Sequence, residues 1–155
     1  MIIKEDAYNI YIENYVIPKG IDKADIKVRE NIVWAMLGKW LSKNPLKRKK
    51  NIDLNDYIYL RFDGMQETVN KAARNYKSTM AVFELDFMLV NATKAGTDKP
   101  KSKRQEKFAE MLIMNVKTPA FLPYFDKVKM LVGITKQKKD AKKIQYSITA
   151  IEPLT

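Results

Sequence analysis

Hydrophobic positions recur with helical spacing most clearly between residues 23 and 43. Intervals of three and four residues place these side chains on one face of a helix. Asp22 stands where an N-cap is expected, and Asn44-Pro45 ends the pattern. The sequence therefore predicts an amphipathic helix over residues 23–43. Its apolar face comprises Ile26, Ile32, Val33, Met36, Leu37, Trp40 and Leu41.

Three other segments carry weaker helical patterns. The segment DGMQ (63–66) has the spacing of a capping box, which predicts a helix over residues 64–77. Residues 5–16 favour a helix, although their alternating tyrosine and isoleucine residues would suit a strand equally. Residues 103–116 also favour a helix, but their last six (MLIMNV) are equally typical of a strand.

Alternation of apolar and polar residues predicts strands in three places. One runs from Tyr57 to Phe62, and a longer one occupies residues 80–92. The third is a hairpin, because an alternating series over residues 128–134 is matched by a second over residues 144–150. This mixture predicts an α+β fold in a single domain over residues 1–155. We expect N-terminal helices packed on an antiparallel sheet that ends in a long, basic-tipped C-terminal β-hairpin.

Positive charge is concentrated in three short segments. Residues 47–50 hold four bases and no acid, residues 94–107 hold six bases and two acids, and residues 136–143 hold five bases and one acid. We place each segment in a connection or at a helix start, where local charge indicates contact with an acidic partner. The candidate interaction residues are Lys47, Arg48, Lys49, Lys50, Lys99, Lys101, Lys103, Arg104, Lys136, Lys138, Lys139, Lys142 and Lys143.

The amino-acid composition argues against an enzymatic function. The chain contains neither cysteine nor histidine, which excludes thiolate metal ligands and removes the commonest general base. Its five glycines are isolated and form no phosphate-binding loop. No apolar run approaches the roughly 20 residues that a membrane span needs. We therefore expect a non-enzymatic protein with no cofactor, no bound metal ion and no membrane partner.

One pair of acidic residues is compatible with metal-dependent chemistry. On a strand over residues 80–92, Glu84 and Asp86 would project from the same face, and with Asp63 they could hold Mg²⁺ in a nuclease. Restriction-like nucleases also need a lysine two residues after the second acid, where this chain has Met88. The polar face of a half-buried strand explains the pair better, so a nuclease is the least favoured hypothesis.

Nucleic-acid binding is the stronger alternative. Lysine-rich segments can neutralise phosphates and give an affinity that falls steeply with salt. However, arginine, the better base reader and phosphate ligand, supplies few of the 29 basic residues. No aromatic residue lies within the three basic segments, so the sequence predicts no stacking platform for bases. Acidic protein surfaces are therefore the favoured partner, and nucleic-acid binding without sequence preference is the alternative.

Four habits of the chain occur together: a Lys/Ile/Asn-rich segment over residues 10–31 (IYIENYVIPKGIDKADIKVREN), no cysteine or histidine, an aromatic stretch at 121–125, and a basic hairpin. In these habits the chain resembles small structural proteins of tailed-bacteriophage particles, and is loosely similar to the head-to-tail connector or ring proteins of crAss-like phages. The resemblance implies a virion subunit, assembled in the bacterial cytoplasm, whose copies form a ring. Its partners would be further copies of itself and neighbouring structural proteins, with DNA as another acidic neighbour.

Overall fold

The computed structural model describes residues 17–101, 108–117, 127–135 and 146–153. Within these ranges the chain forms four helices and a six-stranded sheet, so the predicted α+β class is confirmed. The helices are α1 (Lys23–Lys43), α2 (Phe62–Ala73), α3 (Tyr76–Val82) and α4 (Leu85–Asn91). The strands are β1 (Arg48–Asn51), β2 (Asp56–Tyr59), β3 (Thr93–Asp98), β4 (Phe108–Lys117), β5 (Lys127–Thr135) and β6 (Tyr146–Pro153).

The strands lie in the order β1-β2-β6-β5-β4-β3. Neighbouring strands are antiparallel except β2 and β6, which are parallel. Strands β5 and β6 form the predicted C-terminal hairpin, in which Val132 is paired with Ile148 and Ile134 with Tyr146. The tip of this hairpin, residues 136–145, lies outside the described residues.

Strands β1 and β3 are the two edge strands of the sheet. Hydrogen bonds nevertheless join the end of β1 and the turn after it to the start of β3. The Asn51 amide donates hydrogen bonds to the carbonyl oxygens of Leu89 (2.8 Å) and Ala92 (2.9 Å). The backbone N–H of Lys94 donates to the Asp53 carboxylate at 2.8 Å. Because Asn51 is fully buried, these bonds satisfy a polar group that would otherwise destabilise the core.

One hydrophobic core lies between the helices and one face of the sheet. Helix α1 contributes its predicted apolar face from Ile32 to Leu41, and alternate residues of β4 and β5 contribute from the sheet side. Removing a buried aliphatic side chain from water contributes about 1.5–3 kcal/mol, so this contact holds the two layers together. The strand residues in the core are Ile58, Leu112, Met114, Val116, Val128, Met130 and Val132, and Leu60 joins them from just after β2.

Helix α1 confirms the prediction for residues 23–43, including both ends. The Asp22 carboxylate accepts a hydrogen bond from the Asp25 N–H at 2.8 Å. At the other end the Asn44 N–H donates to the carbonyl oxygens of Trp40 and Leu41. These bonds satisfy orphan groups at each helix end.

The strand predicted over residues 80–92 is wrong. This segment forms the end of α3 and all of α4, separated by a turn at Phe83 and Glu84. Leu85, Met88 and Leu89 are buried at intervals of three and four, so the same residues that alternate as in a strand also fit one helical face. Asn75, whose side chain accepts from the Ser78 N–H at 2.9 Å, begins α3.

Other element boundaries also differ from the predictions. Residues 108–117 form β4, so the strand alternative for the MLIMNV segment holds and the helix over 103–116 is wrong. Helix α2 begins one residue before Asp63, at Phe62, so the capping box at 63–66 does not start it. The predicted strand at 57–62 ends at Tyr59 as β2. The helix predicted over residues 5–16 lies outside the described residues.

Candidate interaction surface

The first basic segment, residues 47–50, lies mainly in strand β1 and not in a connection as predicted. A strand directs successive side chains to opposite faces of the sheet. Lys49 is paired with Ile58, whose side chain is in the core, so Lys49 lies on the helix side. Arg48 is paired with Tyr59, and Lys50 with Tyr57, on the opposite side. The strand therefore divides the segment between two environments.

Lys49 forms an ion pair within the protein. Its Nζ lies 3.2 Å from Oδ1 of Asp86 in α4. The same carboxylate oxygen accepts a hydrogen bond from Trp40 Nε1 at 3.2 Å. Both charged side chains remain partly exposed, so the ion pair contributes at most about 1 kcal/mol. It does, however, direct the charge of Lys49 toward α4 and away from an external partner.

Arg48 lies against two tyrosines of the neighbouring strand. Its guanidinium carbon is 3.9 Å from the centroid of the Tyr57 ring and 5.9 Å from that of Tyr59. Arg48 Nη1 donates a hydrogen bond to the Tyr59 hydroxyl at 3.0 Å, and this bond raises the pKa of Arg48. Arg48 Nε is buried and has no hydrogen-bond partner in the described part of the chain. The contact fixes the guanidinium against the rings.

We call Arg48, Lys50, Tyr57 and Tyr59 the hairpin surface, because they share the outer face of the β1–β2 hairpin. Tyr57 is 36% exposed and Lys50 is exposed. The basic segments contain no aromatic residue, so the sequence predicts no stacking platform there; the rings beside Arg48 come from the partner strand. The missed signal was the turn at residues 52–55, which implies that the residues on either side pair as strands.

The second basic segment begins in strand β3 and continues into the connection to β4. Asp98 accepts a hydrogen bond from the Lys99 N–H and pairs with Lys101 Nζ, each at 2.8 Å. The hydrogen bond to Lys101 lowers the pKa of Asp98 and raises that of Lys101. The Lys99 side chain is exposed. The other two candidates of this segment, Lys103 and Arg104, lie outside the described residues.

The third segment lies wholly outside the described residues, but the strands that flank it are described. Strand β3 ends at Asp98, and β4 begins at Phe108, which is paired with Thr135 at the end of β5. The connections over residues 99–107 and 136–145 therefore leave the sheet at the same end. The five candidates of the third segment are Lys136, Lys138, Lys139, Lys142 and Lys143.

Strand β1 is connected to the start of β6 through β2. Tyr146, the first residue of β6, is paired with Ile58 of β2, and Ile58 is paired with Lys49 of β1. The segment over residues 47–50 is thus level with the start of β6, where the connection over 136–145 joins the sheet. We call this end of the sheet the basic end. The flanks of the two long basic connections adjoin it, whereas the end of β1, at Asn51, contacts Ala92, just before β3, away from it.

The carboxylate pair proposed for metal binding does not form. Glu84 lies at the N-terminal boundary of α4 and Asp86 in its first turn, so two helical steps of about 100° each direct their side chains to different sides of the axis. Asp86 is held by Lys49 and Trp40. Burial raises the pKa of Glu84 to about 7. Over the part of the chain that the structure describes, no three metal-ligating side chains form a cluster.

None of the described helices is both long and apolar enough to cross a membrane. No family model, curated protein or solved structure matches the chain.

Proposed function

We propose that this protein is a non-enzymatic assembly subunit that docks through the basic end of its sheet to acidic surfaces of neighbouring proteins. The observation that supports the proposal is the register of β3 to β6, which places the flanks of the two long basic connections, residues 99–107 and 136–145, at one end of the sheet. Charge gathered at one end gives the molecule a polarity, which suits a subunit that meets an acidic neighbour in one orientation.

The setting that we propose is a bacteriophage particle, where copies of the chain form a ring between head and tail. Support comes from the resemblance in composition and from the basic end. In a ring, each subunit uses two different surfaces, because the contacts are heterologous and close by rotation. The basic end would then face the next layer of the particle and leave the sides of the domain for contacts between copies.

Charge reversal tests the docking proposal. We expect the quadruple variant Lys138, Lys139, Lys142 and Lys143 to Glu to remain folded and to be lost from purified particles, where wild-type protein is detected by mass spectrometry. Reversal of the exposed helical residues Lys23 and Lys77 is the control and should leave incorporation unchanged. A wild-type protein that stays monomeric at high concentration and is absent from particles would contradict the proposal.

A second candidate function is nucleic-acid binding without sequence preference. The hairpin surface favours it, because Tyr57 and Tyr59 lie beside Arg48 and supply the aromatic groups that the sequence alone did not indicate. Binding should weaken steeply as salt is raised, since phosphate contacts release counterions. The absence of any gel shift at low salt would exclude this function.

A further inference from the structure

We propose that the hairpin surface is a binding site for single-stranded nucleic acid, with Tyr57 as the stacking platform for a base and Arg48 and Lys50 as phosphate ligands. The proposal rests on the second candidate function, nucleic-acid binding, and is independent of ring assembly. It assigns that function to a defined site, separate from the connections over residues 99–107 and 136–145.

The register of the hairpin places aromatic and basic side chains in alternation. Arg48 is opposite Tyr59, and Lys50 is opposite Tyr57, on the face that points away from the helices. Directly opposed side chains in antiparallel strands have Cβ atoms about 5 Å apart. An extended strand of nucleic acid can therefore contact a ring and a cation of this surface at once.

Within the described ranges, no acidic side chain neutralises the cations of this surface. Among the described residues no carboxylate pairs with Arg48 or Lys50, whereas Lys49 on the opposite face is paired with Asp86. The Tyr59 hydroxyl and the Tyr57 ring hold the Arg48 guanidinium in place. A cation that is fixed before binding loses less conformational entropy when it binds a phosphate.

The exposed ring decides between nucleic acid and acidic protein. Carboxylates would satisfy Arg48 and Lys50 but would leave the exposed part of the Tyr57 ring, beyond the face that Arg48 covers, without a contact. A nucleobase uses the ring as well, because it stacks on tyrosine and beside arginine. A duplex is a poorer fit, since its bases are already stacked on one another. Single-stranded nucleic acid is the partner that uses every group of this surface.

Fluorescence anisotropy with a labelled oligothymidylate of about 20 nucleotides tests the proposal on the full chain. We expect binding at low salt and at least about fivefold weaker binding by Tyr57→Ala, because stacking on one base contributes about 1–3 kcal/mol. Tyr57→Phe keeps the ring and should bind within about twofold of wild type. Lys50→Ala should weaken binding and reduce the salt slope by about one phosphate contact.

Matched controls come from the helices. Phe87 in α4 is 40% exposed, close to the 36% of Tyr57, and Lys77 in α3 is exposed like Lys50. Phe87→Ala and Lys77→Ala should bind as wild type does. Thermal unfolding of each variant checks that the fold is retained, and Tyr57→Phe with Lys50→Ala keeps the test decisive should Tyr57→Ala fail to fold.

The outcomes separate this proposal from the functions on which it rests. No binding at low salt would overturn both the hairpin site and the second candidate function. Binding that survives Tyr57→Ala but is lost in the quadruple lysine-to-glutamate variant of residues 138–143 would overturn the hairpin site alone. Equal or stronger competition by polyglutamate or by duplex of the same length would also contradict it.

Discussion

Arg29 shows how one buried charge can organise this domain. Its side chain is fully buried, and its guanidinium donates four hydrogen bonds to carbonyl oxygens. Two of these oxygens, on Ala73 and Arg74, lie at the end of α2, where the helix dipole favours a cation. The other two, on Pro18 and Gly20, belong to the segment before α1. Arg29 thus joins three parts of the chain.

Replacement of Arg29 by Met should lower the free energy of unfolding by about 3 kcal/mol or more, because it leaves buried carbonyl oxygens without donors. Arg74→Met is the matched control, since the Arg74 side chain is exposed and only its backbone oxygen contacts Arg29. That change should cost less than about 0.5 kcal/mol. Urea denaturation measures both, and equal losses would contradict the assigned role.

Glu84 should make stability depend on pH. Its pKa is raised by burial from 4.5 to about 7, so the folded state holds the proton more tightly than the unfolded state does. The protein therefore loses stability as the pH rises from about 4.5 through about 7. Glutamine does not titrate, so the free energy of unfolding of Glu84→Gln minus that of wild type should increase by about 1 kcal/mol from pH 4.5 to pH 8. This value is reduced for solvent screening. A pH-independent difference would contradict this.

The composition of the hairpin surface shows what residue-level reasoning can and cannot reach. The sequence identifies Arg48 and Lys50 as basic candidates, because charge is visible without a fold. It cannot place Tyr57 beside them, since that contact depends on the pairing of β1 with β2. The pairing has local cues: the Leu54 N–H donates to the Asn51 side chain at 2.8 Å, and Asn55 adopts a φ of 51° in the turn.

A helix or strand is predicted correctly from the sequence when its pattern of apolar residues fits only one of the two structures. Helix α1 has caps at both ends and a long apolar stripe, so only a helix explains it. Residues 80–92 are mostly apolar, and their two acidic residues stand two positions apart, so the segment matches the strand period as well as the helical one. The same ambiguity affects β4, whose conformation is decided by antiparallel pairing with β5 and not by local sequence.

Two strand glycines make a matched test of how the sheet packs. A Cβ atom at Gly133 in β5 would lie 2.5 Å from the Phe108 ring, whereas one at Gly96 in β3 would meet nothing within 4 Å. Gly133→Ala should therefore destabilise the protein by about 1–3 kcal/mol. Gly96→Ala should be neutral or stabilising by up to about 1 kcal/mol. Equal thermal stability of the two variants would contradict the packing of Phe108 over Gly133.

On the scale of the whole molecule, the fold determines where the basic segments lie relative to the sheet. The two long basic connections leave one end of the sheet. Their separation in sequence hides this arrangement, because only strand order and register bring them together. Lys49 and Lys101 are partly used by Asp86 and Asp98, so the charge offered to a partner is smaller than the sequence count suggests.

Zero-length coupling of lysine amines to carboxylates in assembled particles, followed by mass spectrometry, tests the docking claim most directly. We predict that Lys99 and the lysines of residues 136–143 couple to Asp and Glu residues of neighbouring subunits, while exposed helical lysines such as Lys23 and Lys77 do not. Coupling that is equally frequent at helical lysines and at the basic end, or absent between subunits altogether, would contradict the claim that this protein docks through the basic end of its sheet.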